Sequence, residues 1–140
     1  MRVLLDTNVL SEPTRAQQEA RVLQWLHELD EDRAFISVIS IAEIRRGVAL
    51  LGAGRRREAL SDWLTHDLPE RFDRRLLHVD ERVALAWGDL MANAKRVGRG
   101  LSAMDGLLAA TAIAYDLTLA TRNTKDFDGL GVRLIDPWLA

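Results

Sequence analysis

The sequence predicts an α/β domain built on a central, mainly parallel sheet of four or five strands. Three observations predict it. Short, mainly apolar runs recur along the chain. Between them lie stretches with apolar residues three and four positions apart. The runs are apolar rather than alternating, which suits strands covered by helices on both faces, a three-layer α/β/α arrangement.

The first run is Val3-Leu4-Leu5, read as a central strand, and it leads directly into Asp6-Thr7-Asn8. These three residue types also favour turns. From Gln17 to Leu29 the apolar residues Val22, Leu23, Trp25, Leu26 and Leu29 keep helical spacing. Ala34 to Val38 is the second strand candidate. Ser40-Ile41-Ala42-Glu43 then matches a capping box, predicting a helix that runs to about Leu51 and stops at Gly52-Ala53-Gly54. A further helix carries Leu60, Trp63 and Leu64, and Leu76 to Val79 is the third strand candidate.

Asp80 has the place of an N-cap, followed by Val83, Leu85, Trp87 and Leu90 on one helix. Gly98-Arg99-Gly100 breaks it. Ser102-Ala103-Met104-Asp105 opens the next helix, which extends to about Tyr115 and is apolar on nearly every side, so it is expected to be buried. Leu117 to Ala120 is a fourth strand and Gly131 to Ile135 a fifth. TRNTKDFDG, residues 121–129, lies between them with room for one helical turn.

At 140 residues with 48% hydrophobic content, the chain has the length and the apolar mass of one ordinary domain, spanning 1–140. There is no cysteine, which excludes a disulfide framework and a thiolate metal site. No secretory leader is evident, and the longest apolar stretch, Leu107 to Ala114, is too short to span a bilayer, so a cytoplasmic location is expected. The formal net charge of −2 argues against bulk, non-specific nucleic-acid binding. Locally, however, Arg45-Arg46 and Arg55-Arg56-Arg57 are close in sequence. Arginine suits bidentate phosphate contacts, although a solvated helix face explains each cluster as well.

The acids carry the chemistry. In open α/β sheets, ligands gather beyond the carboxyl ends of the strands. Asp6 follows strand one, Glu43 stands one short turn after strand two, Asp105 opens the buried helix, and Asp126 follows strand four with Thr121 and Asn123. Each has an ordinary explanation: a helix cap for Glu43 and Asp105, a turn for Asp6, a loop surface for Asp126. Together they are harder to explain that way. Carboxylates gathered at one edge repel, and divalent cations relieve that repulsion. Oxygen donors without Cys or clustered His suit Mg²⁺ or Mn²⁺ rather than Zn²⁺; His27, His66 and His78 are scattered. No G-x-S-x-G, G-x-x-x-x-G-K-[ST] or G-x-G-x-x-G is present.

LLDTNVLSE at 4–12, ISIAEIRRGV at 39–48, SAMDGLLAATA at 102–112 and TRNTKDF at 121–127 together resemble a PIN-domain ribonuclease. The likeness is to VapC-type toxins of type II toxin–antitoxin pairs, in the FitB-like subgroup, and GVRLIDPW at 131–138 fits it too. The resemblance implies that Asp6, Glu43, Asp105 and Asp126 form the family's acidic quartet. It also implies that Asn8 orders the first acid, that Thr7 and Thr121 line the pocket, and that Asn123 stands beside the last acid. Gly100 replaces a proline that many relatives carry.

The implied activity is Mg²⁺- or Mn²⁺-dependent endoribonuclease cleavage leaving a 5′-phosphate and a 3′-hydroxyl. The implied partners are an RNA substrate, a VapB-like antitoxin, a second copy in a homodimer and a toxin–antitoxin hetero-oligomer, with no membrane. Arg45, Arg46, Arg55, Arg56 and Arg57 are candidate RNA or antitoxin contacts. Alternatives are a PIN-domain RNA-processing nuclease without an antitoxin, a catalytically silent PIN-like interaction module, and a phosphatase acting on small substrates.

Overall fold

The computed structural model describes residues 1–140. Five strands form one sheet: β1 (Val3–Leu5), β2 (Ala34–Ser37), β3 (Leu76–Leu77), β4 (Thr118–Ala120) and β5 (Leu134–Ile135). Their order is β3-β2-β1-β4-β5 and every pairing is parallel. The sheet is therefore wholly parallel, where the sequence predicts only a mainly parallel one of four or five strands. Eight α-helices surround it: α1 (Thr7–Ser11), α2 (Ala20–Glu28), α3 (Val38–Ala49), α4 (Arg55–Asp62), α5 (Leu68–Arg71), α6 (Glu81–Arg96), α7 (Ala103–Ala114) and α8 (Thr124–Phe127).

Successive side chains on a strand point to opposite faces, and this divides the interior into two cores. Val3, Leu5, Ala34, Ile36 and Ala120 pack with Ile44 and Val48 of α3, Leu64, Leu68 and Phe72. Leu4 and Leu119 pack on the other face with Val83, Leu90 and Ala94 of α6, Leu108 to Ala110 of α7, and Phe127. Val3, Leu4 and Leu5 are all buried, which is why β1 reads as a continuous apolar run rather than an alternating one.

Local chemistry sets most boundaries. Asp80 caps α6, accepting from the Val83 amide at 2.9 Å, and its other oxygen contacts the Tyr115 hydroxyl. Ser102 caps α7 through the Asp105 amide at 3.1 Å. Gly98 ends α6 at φ +74°, a conformation that glycine adopts without strain. A π-turn, Trp63–Asp67, joins α4 to α5. Pro69 lies at the head of α5 and has no amide to donate, so the ladder slips there and the Leu68 amide bonds back to Trp63.

Two boundaries differ from the sequence reading. The capping box expected at Ser40–Glu43 does not form, because Ser37 caps α3 through the Ile39 amide at 3.0 Å. The helix starts directly from β2, and Val38 belongs to it rather than to the strand. Asp6-Thr7-Asn8 is not a free turn either, because Asp6 is the N-cap of α1.

Where α7 packs on α6, a Cβ added to Gly106 would stand 2.6 Å from Met91 Sδ and 3.0 Å from Trp87 Nε1. The indole is fixed by donating to the Ala103 carbonyl at 3.3 Å. Gly106→Val is expected to cost about 1–3 kcal/mol through overpacking, read by urea denaturation. Adding Met91→Ala to that variant should recover part of the loss.

Candidate active site

Asp6 stands at the carboxyl end of β1, flanked by β2 and β4. Its amide donates to the Ala120 carbonyl at 2.9 Å, so the sheet ladder continues one residue past the strand and fixes the acid's height. The side chain is only 6% exposed. One oxygen accepts from the Thr7 amide at 2.6 Å, and the other from the Thr121 hydroxyl at 2.7 Å with the Asn8 amide group at 3.5 Å.

Burial pushes the Asp6 carboxyl up to about 6, against the hydrogen bonds from Thr121 and Thr7, and the negative charges of Glu43 and Asp105 raise it further. Glu43 and Asp105 thus both act on Asp6 at this edge. Asp126 is placed differently: it lies exposed on α8, with Asp128 exposed just after that helix, and neither is among the charges acting on Asp6.

Neighbouring polar residues hold the acids. Thr7 Oγ1 donates to Glu43 Oε1 at 2.8 Å and lies 3.1 Å from Ser40 Oγ. A hydroxyl has one proton to give. With that proton on Glu43, Ser40 completes the pair by donating to Thr7. Ser40 is fully buried and sits three residues before Glu43, on the same face of α3. Asn8 spans β1 and β4, with its amide group 3.5 Å from Thr121 Oγ1 and its oxygen accepting from the Arg122 amide at 3.3 Å. Thr121 also accepts from the Asn123 amide at 3.0 Å. Thr7, Asn8 and Thr121 thus all meet the acids directly, whereas Asn123 joins through its backbone alone.

Of the arginines, Arg45 donates to Ser61 and Arg56 to the Thr14 carbonyl, and Arg46, Arg55 and Arg57 are exposed. Glu12 is a buried acid that the sequence did not flag. It is 1% exposed and paired with Arg15 at 2.9 Å, and only the DTNVLSE run marks it in sequence. The role of Ser40 was also hidden, since its spacing to Glu43 imitates a cap.

Replacing Thr121 with valine keeps the shape and removes the hydroxyl donor. The Asp6 carboxyl is expected to titrate well above its present value of about 6, a shift readable by NMR of labelled aspartate.

The negative charges of Glu43 and Asp105 act on the buried Asp6 carboxylate, so these three acids are the residues that could hold a cation. As the side chains stand, no group of three or more His, Cys, Asp or Glu is placed to hold a metal ion. Mg²⁺ needs only one or two carboxylates, keeping several waters and completing its shell with substrate phosphate.

Residues 3–132 match the family model described as PIN domain. The chain belongs to the PIN-domain family. This PIN domain is 41% identical to Toxin FitB of Neisseria gonorrhoeae over 136 residues, covering 97% of this chain and 98% of that one. It is 36% identical to VapC ribonuclease Y4jK of Sinorhizobium fredii, with 97% of each chain covered. In three dimensions it superposes on the crystal structure of FitAcB from Neisseria gonorrhoeae with a TM-score of 0.93 at 40% identity, covering 99% of both chains.

Proposed function

We propose that this PIN domain is a Mg²⁺- or Mn²⁺-dependent endoribonuclease and the toxin of a type II toxin–antitoxin pair. The observation that carries this reading is Asp6: a buried carboxylate at the sheet's carboxyl edge, fixed by Thr7, Asn8 and Thr121, and acted on by Glu43 and Asp105. The names of its relatives, a toxin and a ribonuclease, support the same reading.

Asp6 and Asp105 would hold the ion, Glu43 would reach it directly or through water, and Asp126 would serve a second ion or the attacking water from the α8 side. A divalent cation there lowers the pKa of water and offsets charge building on the phosphate. Thr7 keeps Glu43 turned toward the site by occupying one of its oxygens. The Thr121 hydroxyl and the Thr7 amide favour the ionised form of Asp6, and Asn8 helps orient it, so that its anionic form would meet the ligand. In-line attack by water leaves a 5′-phosphate and a 3′-hydroxyl.

Three arginines open α4, whose positive end is poorly suited to cations. They give up a little helix stability and create a local positive field beside a groove formed by Thr7, Glu43, Gly47, Leu51, Arg56 and Trp63. The groove has an apolar floor with Arg56 at one wall and Glu43 at another, which suits an antitoxin segment that inserts apolar side chains and places an acid by Arg56. A homodimer, assembled further with its antitoxin, is the proposed assembly.

The test is expression with and without the product of the adjacent small gene, followed by sequencing of RNA 5′ ends. Fragments with 5′-phosphate ends that depend on Mg²⁺ or Mn²⁺ and vanish on co-expression are expected. No growth arrest and no cleavage under either ion would remove the reading. Release of phosphate from small monoesters with RNA left intact would replace it with a phosphatase.

A further inference from the structure

Five arginines stack on aromatic rings. Four are at the wrong end of the molecule for the site. Arg2 precedes β1, Arg71 and Arg75 precede β3, and the partner ring of Arg82, Tyr115, precedes β4. The fifth, Arg122, follows β4 directly, at the edge where Asp6 stands. Its guanidinium lies over the Trp138 ring, 5.1 Å from the centroid.

Both partners of this stack are held in place. The Arg122 amide is bonded to Asn8, and the preceding residue, Thr121, is bonded to Asp6. Trp138 is packed against the core on the α3 side of the sheet, its amide is bonded to Asp136, and its carbonyl accepts from Arg21 at 3.2 Å. The guanidinium itself forms no ion pair or hydrogen bond, although Asp136 is close in sequence to its ring partner. No acid of the site is ion-paired with it. A cation one residue from the site, oriented by a ring and left without an anion, has all its donors free.

We infer that Arg122, stacked on Trp138, is a substrate-binding residue that seats a backbone phosphate of single-stranded RNA next to the scissile one. This rests on the ribonuclease reading above and adds a residue that the acids do not supply. Stacking orients the planar fork before binding, and a guanidinium is weakly hydrated, so its transfer from water to phosphate is easy. Along the sheet the stack lies on the β4–β5 side of β1, whereas α4 packs against α3, which follows β2 on the other side of β1. Phosphate contacts on both sides would let a strand cross the carboxyl edge over Asp6.

The experiment measures binding of a fluorescein-labelled single-stranded RNA of about 12 nucleotides, with site size chosen by analogy to other strand binders. The parent is the non-cleaving Asp6→Asn protein, titrated over a range of salt. Arg122→Ala is expected to weaken binding roughly tenfold and to make the slope of log K against log salt shallower by about 0.7, the loss of one phosphate contact to a single strand. Arg122→Lys should restore the slope but not the affinity, because it keeps the charge and loses the fork. Trp138→Leu should weaken binding less than Arg122→Ala while leaving the slope intact.

In the cleaving protein, Arg122→Ala should raise KM and leave kcat within about threefold, as loss of uniform binding does. Equal affinity and slope for Arg122→Ala and the parent would overturn the inference while leaving the nuclease standing. Loss of affinity for a glutamate-rich peptide, with RNA binding intact, would overturn it in favour of a protein partner. If the parent binds no RNA and the wild type cleaves none, the ribonuclease reading falls and this inference with it.

Discussion

Asp6→Asn is expected to reduce RNA cleavage at least about a thousandfold and, in the same protein, to raise stability in the presence of a chelator. The first effect follows if the ion held by Asp6 supplies about 4 kcal/mol of transition-state stabilisation, each 1.36 kcal/mol being tenfold in rate. The second follows from the position of the carboxyl. Its value is raised from 3.8 to about 6 in the folded protein, so between these values the folded state binds the proton and the unfolded state does not. Stability is then greatest below about pH 4 and falls as pH rises through about 6. Two units at 1.36 kcal/mol set the loss at up to roughly 3 kcal/mol at neutral pH. Asparagine carries no charge to bury, so the variant's denaturation midpoint should vary much less over that window. Mn²⁺ added at pH 7 should raise the midpoint of the wild type and not that of Asp6→Asn. A wild-type midpoint that rises between pH 4 and 6, or a variant that cleaves normally, would contradict the account of Asp6.

Phe127→Ala is expected to destabilise the domain by about 3–5 kcal/mol, among the largest losses available to a single substitution here. The ring is 1% exposed and belongs to the core shared by Leu4, Leu108 and Leu119, yet its helix, α8, spans only Thr124–Phe127. So short a helix has little stability of its own and is held by what it buries. The Arg99 guanidinium, donating to the Lys125 carbonyl at 2.5 Å, adds a tie to the loop before α7. Without the ring, the segment carrying Asn123 and Asp126 loses its anchor. A fall in the urea midpoint with unchanged m-value is expected, together with reduced cleavage even where the protein remains folded. Phe127→Leu, which keeps most of the volume, should lose far less in both measurements.

The fold was most legible where burial is complete. β1, β2 and β4 are flanked on both sides by other strands and largely buried, so their runs are mostly apolar, with Ser37 and Thr118 as buried polar members. The edge strands β3 and β5 are half-buried and only two residues long, and the sequence over-extends them to Val79 and back to Gly131. The start of α3 was obscured by chemistry that serves two purposes. Val38 and Ile39 are β-branched and suit a strand, and Ser40 with Glu43 imitates a cap while belonging to the hydrogen-bond chain through Thr7.

Within the candidate site, acids ending apolar runs can be read from one dimension. Asp6 and Glu43 are visible in that way, and Asp105 stands out against its apolar helix. The stack of Arg122 on Trp138 joins residues from either side of β5, and no local pattern announces it.

The division of the interior into two cores has a further consequence. Glu43 is carried by α3, which rests on one core, and Asp105 by α7, which rests on the other. Short strands lie between the two cores, and the two helices also touch one another directly. The gap across the acids is therefore the difference between two packings, each set by its own side chains. A substitution deep in either core, far from any acid, can tilt one helix by a few tenths of an ångström and move the other less, through the contact between them alone. Such a change barely moves a melting curve but alters the spacing of the carboxylates. Turnover would then report the fit of each core before any loss of folded protein does, and paired substitutions that shift both helices alike should restore it.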